Sequence, residues 1–360
     1  MSAETLTHQQ QTTAAQSAST PSRKDSYFSN AKIALIVLVV IGHSWSPLIE
    51  ESPTVNAVYL TLYDLHMPAF ILICGFLSKS FTGRQRQWTR LLTGVVVPYF
   101  IFSILYGLLG IWISDEGFDP SIIKPYYLLW FLVTLFVWRA TAPIWNVIRF
   151  PVVAAILICL GASTMDLSGV FEAGRILQYL PFYVAGLFLR REHFEKLRRP
   201  LVRVVGAIAS LGILGLALRF GGAIDVEWLY YNKGAQQLGA TVPEAISIRL
   251  MLLVFAAILI VTFFSFVPDR TLPLSRLGEL TMYPFLLHGF VTKSAEFGFH
   301  FDDHPFPHTA TGAIVVTLAG ALLACVLLTK PVRWVTRPLV EPPLNWALRQ
   351  PTPPPGREGA

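Results

Sequence analysis

The chain has 360 residues, 53% hydrophobic and 14% charged, with 28 lysines and arginines against 22 aspartates and glutamates. A soluble domain carries nearer a quarter charged residues, and here the apolar residues run in long uninterrupted blocks rather than in stripes. That excludes an ordinary soluble fold and points to an all-α, polytopic membrane bundle, with the net charge of +6 read as a topology signal and not as a nucleic-acid footprint.

The first thirty residues are rich in Ser, Thr, Gln and Ala and lack the apolar core of a signal peptide, so residues 1–30 read as a disordered cytoplasmic tail. Residues 31–343 read as one membrane domain, and 344–360, ending in QPTPPPGREGA, as a second cytoplasmic tail. Between the tails lie about ten candidate spans of roughly 17–25 residues. They run approximately over Lys32–Ile49, Val55–Leu77, Trp88–Ile113, Lys124–Ile144, Pro151–Thr164, Gly174–Leu189, Leu201–Phe220, Pro243–Val267, Leu280–Phe297 and Thr309–Thr329. The fifth and sixth are short.

The first span, KIALIVLVVIGHSWSPLI, carries His43 in its outer half. A titratable side chain at that depth is costly and usually marks a functional site. Lys32 lies eleven positions earlier. Eleven helical steps return to within about 20° of the same face and rise about 16 Å, so one face carries a cation at its foot and an imidazole about three turns above.

The second span holds Asp64 and His66, two apart and therefore on different sides of their helix. His66 falls at about the depth of His43, which makes it a candidate partner for a general base, with Asp64 a further candidate. The alternative is that His66 bonds a backbone carbonyl at the Pro68 kink. Arg90 opens the third span after Arg84 and Arg86; together with Lys32 it reads either as a snorkelling interfacial anchor or as a phosphate-gripping cation. His288 in the ninth span reads as a polar core contact. The outer loop HFDDHPFPH reads as a solvated rim, because Pro305 and Pro307 break any helix that would align His304 with His308; no metal site is expected. Cys74, Cys159 and Cys325 sit in apolar blocks with no ligand spacing.

With the N-terminus inside, cations gather on one side, as in Lys79, Arg84, Arg86 and Arg90 or Arg190, Arg191, Lys196, Arg198 and Arg199. Acids gather on the other, as in Glu50 and Glu51, Asp115, Glu116 and Asp119, and Asp302 and Asp303. This positive-inside bias places both termini in the cytoplasm of a multi-pass cell-membrane protein and favours an even number of spans.

These residues resemble those of the acyltransferase-3 family of integral membrane O-acyltransferases. The resemblance rests on Lys32 and His43, on LHMPAFILICGF, and on RLLTGVVVPYF, LWFLVTLFVWR, YLPFYVAGLFLRR and LGELTMYPFLLH in that order, over roughly 25–343. Among subgroups the chain is most similar to the fucose 4-O-acetylase-related acetyltransferases. Cys74 stands where the family pattern has Ser, Lys32 where many members have Arg, and Asp64 is not part of the pattern. The resemblance implies a cytosolic acetyl-CoA or similar acyl-CoA as donor substrate, with no permanently bound cofactor. Its phosphates would meet Lys32 and Arg90, its thioester would reach His43 as general base, and His66 would orient His43 or donate to the oxyanion. The acceptor would be a hydroxyl of a glycan, a lipid-linked sugar or a secondary metabolite. The competing reading is a transporter exporting a polysaccharide or sugar-like solute, and a third is a small-molecule sensor.

Overall fold

A computed structural model describes residues 23–50, 52–114, 124–167 and 171–344. The tail residues 1–22 and 345–360 and the acids Glu51, Asp115, Glu116 and Asp119 lie outside the described residues. Among the described residues all regular structure is helical. In chain order it comprises α1 (Arg23–Trp45), α2 (Pro53–Leu77), α3 (Gln85–Leu91), α4 (Val97–Ser114), α5 (Trp130–Trp145), α6 (Pro151–Ser163), α7 (Ala173–Gln178) and α8 (Leu180–Phe188). There follow α9 (Arg191–Leu197), α10 (Pro200–Phe220), α11 (Glu227–Tyr230), α12 (Val242–Phe266), α13 (Met282–Lys293), α14 (Pro305–His308), α15 (Ala310–Leu327) and α16 (Lys330–Val340).

Among the described residues seven stretches are long and apolar enough to cross a membrane: α1, α2, α3 with α4, α5, α10, α12 and α15. A single π turn, Leu92–Val96, joins α3 to α4 without ending the helix. The expected fifth, sixth and ninth spans are shorter than a bilayer core. α6 has 13 residues, α8 has 9 and α13 has 12. At 1.5 Å per residue these rise about 20, 14 and 18 Å, against about 30 Å of hydrocarbon. The sixth stretch is split because Pro181 opens a new helix after the Tyr179 joint. The ninth is extended by a second π turn, Ser294–Gly298.

The polarity of the bundle is inverted relative to a soluble protein. Leu201, Ile208 and Leu211 on α10 and Ile314, Leu318 and Leu322 on α15 are exposed, while Asp64, His66, Gln178, Arg249 and His288 are buried. Hydrocarbon as the surrounding solvent accounts for both halves of that pattern, since lipid neither expels leucine nor solvates a charge.

The boundary between tail and membrane domain moves. α1 is helical from Arg23, and Ser26, Tyr27, Phe28 and Asn30 are buried. Their polar atoms are matched by the end of α12 and the linker after it. The Tyr27 hydroxyl donates to the Phe264 carbonyl at 2.8 Å, and Asn30 Nδ2 donates to the carbonyls of Pro268 (2.9 Å) and Arg270 (3.0 Å). Phe28 stacks on Phe76 at 4.5 Å and meets Phe194 edge-on at 5.2 Å. A polar composition therefore conceals an anchoring turn whose partners are distant in sequence.

α2 lies at the centre, packed on α1, α8, α10 and α12. Its tightest contact is with α8, where Gly75 and Gly186 face each other. A Cβ on Gly75 would overlap the Tyr183 carbonyl, and one on Gly186 would overlap the Leu72 carbonyl. Small residues allow such backbone approach, and in lipid that packing replaces the hydrophobic force. Gly75→Ala is expected to lower stability by roughly 1–3 kcal/mol, the usual range for overpacking. Thermal melting in detergent checks this against Gly94→Ala, where an added Cβ meets no atom within 4 Å. Equal melting temperatures for the two variants would contradict the packing assignment.

Candidate active site

One face of α1 carries Lys32, Ile36, Val39 and His43 at spacings of four, three and four residues, a single helical stripe. Ile36, Val39 and His43 line a narrow slot whose opposite walls include Tyr63, Met67, Phe70 and Phe131. Its free space is about 20 Å³, room for little more than one water. On its other side His43 lines a second cavity of about 230 Å³, with Ser44, Thr292, Glu296, Phe301 and Gly320. The imidazole is half-buried and forms part of both walls, toward Lys32 and away from it.

Three other elements converge on that ring. The Gly42 backbone leaves His66 of α2 lying against α1, its Cε1 3.8 Å from where a Gly42 Cβ would begin. From α13, His288 brings its ring centroid to 5.1 Å from that of His43. Tyr127, from the 3-10 turn Tyr127–Leu129 ahead of α5, places its hydroxyl 2.8 Å from His43 Nδ1. Lys293, at the end of α13, lies 4.6 Å from the Tyr127 ring centroid and pairs with Glu296 at 2.7 Å. The titratable groups acting on His43 are His288, His66 and Lys293.

Hydrogen bonding fixes two of the three imidazoles. His66 Nδ1 is 2.7 Å from the Leu62 carbonyl, and His288 Nδ1 is 2.7 Å from the Pro284 carbonyl. A carbonyl can only accept, so in each ring Nδ1 carries the proton and Nε2 presents a lone pair. His66 therefore bonds a backbone carbonyl, that of Leu62 one turn back, and not the Asp64 carbonyl that Pro68 leaves without its amide. His288 Nε2 is buried without a hydrogen bond. His43 is the ring whose Nδ1 meets a hydroxyl, a group that both donates and accepts.

Asp64 is buried on a different side of α2 from His66. Its carboxylate faces Arg249 of α12 and Tyr231, and the structure brings it to these groups and not to His43. Arg249 is fully buried, donates from Nη1 to the Trp228 carbonyl at 3.0 Å and lies 3.9 Å over the Tyr231 ring. Lys32, half-buried at the foot of the stripe, shares its electrostatic surroundings with Glu279 and Cys74. Arg139 acts on the same Cys74 and bonds Ser78 Oγ at 3.3 Å, so a second cation stands near the foot. Arg90 is exposed, in the last turn of α3. Among the described residues no group of three or more His, Cys, Asp or Glu side chains is placed to hold a metal.

Slots on both sides of a membrane imidazole, with a cation at the foot of the same helix face, fit group transfer better than solute passage. The family model of the acyltransferase domain, acyltransferase-3, matches residues 25–329. The chain belongs to the acyltransferase-3 family. It is a multi-pass membrane acyltransferase, and the matched range includes each helix that contributes to the site. Comparison with curated proteins and with solved structures yields no match.

Sequence reading passed over Arg249, Tyr127 and the Lys293–Glu296 pair. Arg249 had a signal, since it is a lone cation inside the apolar run ISIRLMLLVF. Arg249 acts on Asp64 through charge and not through a hydrogen bond, since Asp64 Oδ1 and Arg249 Nε and Nη2 have no hydrogen-bond partner. Arg249→Met is therefore expected to melt below the native protein in detergent, while Asp64→Asn combined with Arg249→Met recovers part of the loss. Strictly additive losses would show that the two side chains are not energetically coupled.

Proposed function

We propose that this acyltransferase moves an acyl group, with acetyl the favoured size, from cytosolic acyl-CoA to a hydroxyl presented on the opposite side of His43. His43 is the general base. The observation that carries this reading is that one imidazole walls two cavities, one following the Lys32 stripe and one facing away from it.

In this reading the termini and the Lys32 end of α1 are cytoplasmic, in keeping with the charge bias of the loops. Lys32 grips the donor phosphates as a point charge, and Arg90, exposed on the same side, draws the polyanion toward the membrane. The pantetheine arm runs along Ile36 and Val39. The slot is too narrow for it as it stands, so Met67 and Phe70 turn aside when donor binds; an unbranched methionine does this at low cost. The acceptor occupies the larger cavity, where Ser44, Thr292 and Glu296 offer polar contacts to a hydroxyl-bearing glycan, a lipid-linked sugar or a secondary metabolite. The resemblance to fucose 4-O-acetylase-related enzymes favours a sugar hydroxyl.

His43 Nε2 takes the proton of the acceptor hydroxyl as its oxygen attacks the thioester carbonyl carbon. The new C–O ester bond forms, the C–S bond breaks, and the proton passes from the imidazolium to the departing sulfur, giving the CoA thiol. His66, whose one proton is committed to the Leu62 carbonyl, has none to give the oxyanion and steadies the His43 ring by contact at Gly42. Asp64 serves as counter-charge to Arg249. This reading predicts that His43→Ala lowers turnover by about 10²–10⁴-fold with normal membrane insertion, measured as CoA thiol release by purified protein. Native turnover in that variant would remove the base assignment. Lys32→Ala is expected to raise the KM for acyl-CoA about tenfold, equivalent to about 1.4 kcal/mol, with kcat nearly unchanged; an unaltered KM would take away the donor-gripping role.

A further inference from the structure

We propose that Tyr127 is a positioning residue that fixes the tautomer of His43: its hydroxyl oxygen accepts the Nδ1 proton, which leaves the Nε2 lone pair as the base. The inference rests on the reading of His43 as general base and names what holds that base in its working form.

A general base at His43 Nε2 needs its proton on Nδ1, and the group that meets Nδ1 is the Tyr127 hydroxyl at 2.8 Å. A hydroxyl both donates and accepts, so with Nδ1 protonated the Tyr127 oxygen accepts there and its own proton turns away from the ring. The same tautomer is imposed on His66 and His288 by backbone carbonyls, but at His43 it depends on this one hydroxyl.

The backbone supports the assignment. Tyr127 has φ near 50°, the left-handed region that a bulky aromatic residue rarely enters. Such strain persists where the surroundings over-determine it, and it clusters at functional sites. The surroundings are visible here. Lys293 lies over the Tyr127 ring, held by Glu296, and Gly289 leaves room for the neighbouring Leu128 and for Tyr106. The Tyr106 hydroxyl in turn donates to the Leu286 carbonyl at 2.8 Å. The charged and titratable groups facing His43 are His288 and Lys293 from α13 and His66 from α2, with Glu296 beside Lys293. Of the side chains around His43, Tyr127 is the one hydrogen-bonded to its ring.

The test uses the full-length protein in detergent, with acetyl-CoA as the probe and CoA thiol release as the readout. Tyr127→Phe removes one oxygen and keeps the ring under Lys293. It is expected to lower kcat by roughly tenfold or more, a fraction of what a general base contributes. The KM for acetyl-CoA should stay within twofold, and the pH at which kcat is half its plateau should move by about half a unit or more. His43→Ala separates the two readings. Full release by that variant defeats the base assignment itself. A dead His43→Ala beside a Tyr127→Phe with native kcat and native pH profile overturns the tautomer assignment alone. Should Tyr127→Phe fail to fold, 15N shifts of the native protein that place the His43 proton on Nε2 overturn it equally.

Discussion

The constraint on which the structure depends is the cost of an imidazole in hydrocarbon. Each of the three buried or half-buried histidines near the midplane must find a hydrogen-bond partner that water supplies elsewhere. His66 and His288 find theirs in carbonyls of their own helices one turn back. His43 sits near the end of α1, where Gly42 precedes it and two cavities adjoin it, and its Nδ1 partner comes from another segment. α1, α2, α13 and the turn before α5 are drawn to one point by that requirement. The same point is where a reacting hydroxyl and a thioester could meet.

Asp64 and Arg249, on another side of α2, meet that cost less fully, since Asp64 Oδ1 and Arg249 Nε and Nη2 are buried without a hydrogen bond. Two ionisable groups face each other there among Trp228, Tyr231 and the α12 backbone. They tie α2 and α12 to the segment that holds α11. The membrane domain thus has two polar centres, His43 between two cavities and Asp64 beside a third of about 250 Å³ lined also by Leu60, Thr61 and Leu229.

Much of this was legible in the sequence. Composition and block length gave the all-helical membrane bundle, and the eleven-residue interval predicts Lys32 and His43 on one face, of which Ile36, Val39 and His43 line one slot. Family membership followed from short motifs in order. Helix lengths were less legible at the short spans, because Pro181 and two π turns alter continuity without altering hydropathy. The start of α1 was hidden for a different reason. RKDSYFSN looks like tail because its polar atoms pair with carbonyls some 240 residues away. Tyr127 carried no signal at all. It is one aromatic residue among many, and its left-handed backbone is set by neighbours on α13 and α4. The direction of Asp64 could not be read from spacing either, since two residues apart says that it leaves the His66 side but not where it goes.

The most direct test of the account asks whether acyl transfer crosses the membrane through His43. Inverted membrane vesicles from cells making the protein expose the cytoplasmic face and enclose the native acceptors. Labelled acetyl-CoA, which does not permeate, is added outside, and the label is followed into esters that an external esterase cannot reach until the vesicles are opened. The account predicts enclosed, protected label that depends on the imidazole of His43. Label confined to esters accessible from outside, or protected label formed equally without that imidazole, would contradict it.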